Sequence, residues 1–183
     1  FEKWSQQDYY GFAAFFPPIG RNPADEPGEE AVFHQWREAS AVNIKTQQPV
    51  KPTPLGSPVL SLKPQDDPRR ALASWLTATE NPFFARVLVN RYWKHFLGRA
   101  LVEPEDDLRV TNPATNPALL DGLAAHFTES RFDLKALIRA ICTSTTYQLS
   151  SLPNEYNAAD RQNYSRFFPR RLPAEVLLDA IDT

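Results

Sequence analysis

Four side chains able to bind or orient charge, Arg86, Asn90, Arg91 and His95, recur along one otherwise apolar stretch, and an acidic run, Glu103-Pro104-Glu105-Asp106-Asp107, follows it. Guanidinium and carboxylate groups so placed form either a structural ion-pair network or a polar pocket that orients a ligand. Asn112, Arg170 and Arg171 complete this candidate polar network. On a helix from Pro82 to Phe96, Phe84, Val87, Leu88 and Tyr92 share one face, and Val89, Trp93 and Leu97 lie roughly opposite. A helix apolar on both sides is expected to be buried on both sides. Arg86 and Arg91 are therefore expected to be at least partly buried, one of them within salt-bridge reach of Asp106 or Asp107. Asp107→Asn should then strand a buried charge and destabilise strongly.

Other chemistries find less support. Calcium loops need alternating oxygen ligands around a flexible glycine, and Pro104 interrupts the acidic run with no glycine after it. His34, His95 and His126 show no i,i+4 pair and no H-E-x-x-H, so no metal site is expected. Cys142 continues the stripe Leu134, Leu137, Ile138, Ile141 and reads as a core cysteine. No G-x-S-x-G, Walker-type or G-x-G-x-x-G phrase is present. The stretch from Asn163 to Arg171 interleaves aromatic and basic residues, as single-strand nucleic-acid binders do. With a net charge of -2, no nucleic-acid partner is expected. The plainer reading has these arginines capping carbonyls and pairing acids.

The elements that must position these groups are mainly helical. Asp8 reads as the cap of a short aromatic helix through Phe16, ended by Pro17-Pro18, and residues 17 to 30 read as loop. Period-two alternation in Ala31–Trp36 and Ala41–Lys45 predicts a small β-ribbon within residues 31–62, ahead of a proline-rich crossing. Asp66-Asp67-Pro68 opens a helix; Asn81-Pro82 caps the next, which ends at Gly98. Asn116-Pro117 opens a third, to about Thr128, and Asp133 caps a fourth, to about Thr143. Pro173 to Ile181 reads as a last helix. The predicted fold is mainly α: a helical bundle-like core in 66–183, preceded by residues 1–62 with the ribbon and crossing.

No apolar run approaches the ~20 residues of a membrane span. A chain that opens on Phe1, holds no methionine and stops in an uncapped helix is expected to be part of a longer protein. Phe12, Phe15 and Phe16 at one end, and Leu177, Leu178 and Ile181 at the other, should then lack apolar partners inside the chain. The remainder of the same polypeptide, or another chain, would pack on both ends.

The phrases Asn81 to Trp93, Gly98 to Pro104 and Asp106 to Arg109, continued by Asn112-Pro113, Phe132 to Lys135, Thr146-Tyr147 and Pro169 to Leu172, resemble the planctomycete secreted-domain family of unknown function over roughly residues 66–183. Its members occur in very large extracytoplasmic proteins, often beside a cytochrome-c-like domain. Phe1 to Trp4 with Asp8-Tyr9-Tyr10 is similar to the end of the companion domain, which follows a C-x-x-C-H-type segment, the attachment signature of c-type haem. The resemblance thus implies an extracytoplasmic location, no cofactor in this chain and a c-type haem in an upstream segment, near which Phe1, Trp4, Tyr9 and Tyr10 would pack. Two readings follow: redox-linked handling of a sugar-like substrate, or a non-catalytic carbohydrate-binding or scaffold module. Exposed, coplanar rings among Trp4, Trp36, Trp75 and Trp93 would favour binding, and their burial a core role.

Overall fold

The computed structural model describes residues 3–24, 26 and 28–182. Among them helices predominate, with six helices and two small antiparallel two-stranded sheets. The chain divides into two compact units, residues 1–81 and 82–183.

In the first unit, α1 (Gln6–Ala13) starts at Ser5, which forms a reciprocal capping box with Asp8. Asp8 is therefore not the cap but the third helical residue, and its carboxyl is held below its usual range by the Ser5 hydroxyl. Two ribbons replace the one expected. β1 (Ile19–Pro23) pairs with β2 (Glu30–His34), so part of the stretch read as loop is a strand. The expectation failed because Pro, Gly and acidic residues hid a strand whose pairing is antiparallel to the readable one. β3 (Ala41–Val42) pairs with β4 (Pro49–Val50). The buried Asn43 closes that turn, its Oδ1 accepting from the Lys45 and Thr46 amides.

α2 (Pro68–Leu76) has Asp67 as N-cap and Pro68 in its first turn, as the sequence predicts. The first helix leaves Phe16 exposed, as expected, but not Phe12 and Phe15. Phe15 is fully buried, and Phe12 packs edge-on against Phe15 and Trp75 of the same unit. Trp75 is half-buried and donates to Ser57 Oγ, whereas Trp36 is 82% exposed.

The second unit is built on α3 (Phe84–Leu97), α4 (Pro117–Glu129) and α5 (Leu134–Cys142), which pack on one another. α3 begins two residues after Pro82, with Phe83 in the capping position, and the Asn81 side-chain amide donates to the Trp75 carbonyl. It ends at Gly98, whose φ of 80° suits a residue without Cβ. Asn116 and Asp133 cap α4 and α5. Ala85, Val89, Trp93 and Leu97 form the fully buried stripe of α3 and meet Leu120 and Phe127 of α4 and Leu137 and Ile141 of α5. The stripe Phe84, Leu88, Tyr92, Phe96 is half-buried. Cys142 is also half-buried, at the edge of the core, and burial pushes its thiol pKa up. α6 (Ala174–Ile181) contributes nothing to this core: Leu177, Leu178 and Ile181 are 48%, 59% and 71% exposed.

Candidate functional site

The candidate network divides into a buried part made of amides and an exposed part made of ion pairs. Asn90, on the buried side of α3, has no exposed surface. Its Nδ2 donates to the carbonyls of Val102 (2.9 Å) and Glu105 (3.1 Å), and its Oδ1 accepts from the Val102 amide (3.0 Å). Asn112 donates to the carbonyls of Glu103 (3.1 Å) and Asp107 (3.0 Å). Between them runs an irregular segment whose Ala100, Leu101 and Val102 are buried. Buried backbone outside a helix or sheet needs partners for its polar groups, and these two amides supply them. The Tyr164 hydroxyl adds a bond to the Ala100 carbonyl (2.8 Å).

The charged members lie outside this clamp. Arg91 binds Asp106 in a bidentate pair (2.6 and 2.8 Å) but is 54% exposed. Arg86 pairs with Asp121 of α4, which sequence reading did not select, at 3.0 Å. Asp107 pairs with Arg109, two residues on, and that guanidinium holds its carboxyl below the usual range. The expected reach of Arg91 to Asp106 is therefore met and Arg86 is half-buried, whereas the expected burial of Arg91 is corrected, for that side chain is exposed. A long side chain on a mostly buried helix can still carry its charged end to water.

Lys94, also missed from sequence, bridges Glu105 (2.6 Å) and Glu103 (3.3 Å). It stands nine and eleven residues before these two acids, nearer to the acidic run than Arg91. His95 is exposed and edge-on to Phe96 at 4.9 Å. No group of histidine, cysteine and carboxylate side chains suited to a metal occurs among the described residues.

Arg170 is brought to the end of α3, whereas Arg171 is exposed and lines no described cleft. There Leu97, Gly98, Arg99, Tyr164, Phe168 and Pro169, with Arg161 and Arg170, enclose a mainly apolar cleft of about 200 Å³. Its far wall is a turn organised by Asp160, which accepts from the Gln162 amide (2.9 Å), the Asn163 amide (2.9 Å) and the Ser165 hydroxyl. Those donors, the Ser165 hydroxyl foremost, hold the Asp160 carboxyl far below the ordinary range. Arg99 donates to the Arg161 carbonyl (2.8 Å), joining the two walls. Arg166 stacks on Phe168 at 4.1 Å and donates to the Ser151 carbonyl. Of the arginines expected to cap carbonyls and pair acids, only Arg166 is seen donating to a carbonyl; Arg170 and Arg171 make no described hydrogen bond, and none of Arg99, Arg161, Arg166 and Arg170 is ion-paired among the described residues. A second groove, of about 450 Å³, adjoins the cleft through Gly98 and Arg170 and is lined further by Arg91, Lys94, His95 and Glu105.

Of the residues assigned to pack near a haem, Phe1 lies outside those described. Trp4 is half-buried beneath Lys3, 4.6 Å from its ring. Tyr9 is exposed, whereas Tyr10 is buried in the first unit. Trp93 is 2% exposed, a core residue edge-on to Tyr164.

Comparison with curated proteins and with solved structures finds no match. A family model described as PSD1, protein of unknown function (DUF1553), matches residues 68–182. That span runs from α2 through α6 and holds both asparagines of the clamp and all of the cleft. With more than half of its length matched, the chain belongs to the PSD1 family of proteins of unknown function.

Proposed function

We propose that this chain is a non-catalytic carbohydrate-binding module of a larger extracytoplasmic planctomycete protein that carries a c-type cytochrome domain ahead of it. The cleft at the end of α3 carries the binding part. Leu97, Phe168 and Pro169 give it an apolar lining, and Arg99, Arg161 and Arg170 bring N–H donors to it. A sugar ring presents apolar C–H faces and a rim of hydroxyls, so both kinds of surface have a complement. The volume, about 200 Å³, lies below the roughly 300–1,000 Å³ of clefts that take drug-sized ligands. It suits a single ring.

The haem part rests on the likeness of residues 1–16 to the segment that follows C-x-x-C-H. The residues of this chain do not themselves fit covalent haem: two thiols and an adjacent histidine are needed, and Cys142, on α5, is the single cysteine. The exposed Val176, Leu177, Leu178 and Ile181 of α6 support a further part of the reading, that another part of the polypeptide or another chain packs there.

Affinity electrophoresis of the chain against a panel of polysaccharides tests the binding. Retardation by at least one of them, abolished by Phe168→Ala, is expected; no retardation by any sinks the reading. For the haem part, the full-length native protein should show a Soret band and a cysteine-linked mass addition. Lack of both removes it and the redox-linked alternative together.

A further inference from the structure

We propose that the cleft selects acidic saccharides, bearing carboxylate or sulfate-ester groups, over neutral ones, an inference that rests on the carbohydrate-binding reading above. Cations near it fall into two sets. Arg91 and Lys94 are neutralised by Asp106, Glu103 and Glu105. Arg99, Arg161 and Arg170 converge on one ring-sized cleft with no carboxylate in ion-pair reach among the described residues. The chain has 22 acidic residues against 20 basic ones, so counter-ions are not scarce.

Two of the three arginines are held before any ligand arrives. Arg99 is tied to the Arg161 carbonyl at 2.8 Å, and its Nε is shielded from solvent without a partner among the described residues. Arg161 lies over the Phe168 ring at 6.0 Å, on the turn that Asp160 fixes. A preorganised planar guanidinium takes a carboxylate or a sulfate through two parallel N–H donors, and little ordering cost is left to be met on binding. Arg170 lines both the cleft and the adjoining groove. The groove itself carries Glu105 beside its paired cations, so the acidic group is placed in the cleft and only a neutral part of the ligand would extend beyond it. Nucleic acid is disfavoured because it needs a basic track along its phosphates, and here Glu105 and Asp106 flank the neighbouring cations.

Calorimetric titration of the whole chain with an oligogalacturonate, a sulfated galactan oligosaccharide and a neutral galactan oligosaccharide of equal length tests the inference. At least one acidic probe should bind about tenfold more tightly than the neutral one, as expected of a charge-assisted contact. Whichever acid prevails identifies the group. Arg170→Gln, which breaks no described hydrogen bond, and Arg99→Gln should each weaken acidic binding more than neutral binding, so that the preference for the acidic probe falls about tenfold. Thermal melts confirm that the variants fold.

Equal affinity for acidic and neutral probes overturns the inference and leaves the carbohydrate reading standing. No binding of any saccharide overturns both. Tighter binding of a single-stranded oligonucleotide than of either acidic sugar, or acidic binding indifferent to both arginine variants, also overturns it.

Discussion

Two irregular segments of the second unit, residues 98–107 and the turn 160–165, are held by side-chain hydrogen bonds of similar number and length, yet their physics differs. The first is clamped by neutral amides, Asn90 from below and Asn112 from the side, around a buried backbone. The second is gathered around one half-buried carboxylate at the surface, Asp160. Where water is excluded, an unmade hydrogen bond costs its full desolvation penalty; where water is present, it is readily replaced. The bonds of Asn90 and Asn112 should therefore govern stability and be indifferent to pH, unlike the Glu103 carboxylate that accepts from the Ala100 amide in the same segment, and the carboxylate turn should govern local order and follow pH.

The largest effect is expected at Asn90. Asn90→Leu keeps the size but strands the Val102 amide and carbonyl, and should lower the unfolding free energy by about 2–4 kcal/mol, read by urea denaturation. A loss below the resolution of that measurement would mean that water reaches the clamp, and the contrast would fail. Asn112→Ala removes two bonds from a half-buried site. A loss of about 1 kcal/mol is expected.

The pH contrast comes next. The Asp160 carboxyl is depressed in the folded chain, so its contribution is complete above the ordinary value of about 3.9 and is lost as pH falls through the folded value. The Gln162 and Asn163 amide resonances should shift together with a midpoint below about 3.9, and Asp160→Asn should abolish the shift. The Val102 amide, bonded to a neutral side chain, should stay still over the same range. A Val102 resonance that moved with the other two would show the segments to be one coupled unit.

The smallest effect is expected at Asp107. Its partner Arg109 is exposed and two residues away, so Asp107→Asn should leave the thermal melt indistinguishable from that of the wild type. A clear destabilisation would restore the buried-charge expectation that the geometry has replaced.

Helices were the most legible part of the chain. Asp67-Pro68, Asn116-Pro117 and Asp133 announce α2, α4 and α5, because a cap is a local event: a side-chain oxygen meeting an amide two or three residues on. α1 misled where two cap candidates, Ser5 and Asp8, stood three residues apart and both took part. β1 was missed because a strand is defined by its partner, and Ile19–Pro23 carries no alternation of its own. The site was legible in its membership, less so in its pairing. Asn90 and Asn112 stood in the list beside the arginines, yet nothing in their spacing says which are enclosed and which reach water.

By itself, the sequence determined where α2, α4 and α5 begin, that Gly98 ends α3, and that the chain holds one cysteine and no C-x-x-C-H phrase. These are matters of composition and of contacts within a few residues. Tertiary structure alone decided that Arg86 takes Asp121, that Asn90 sustains a buried loop twelve residues away, and that Arg99 meets the Arg161 carbonyl sixty-two residues on. Such partners are chosen by which faces the packing of α3, α4 and α5 closes and which it leaves to water. That choice depends on the excluded volume of the whole unit and cannot be read from any one stretch of it.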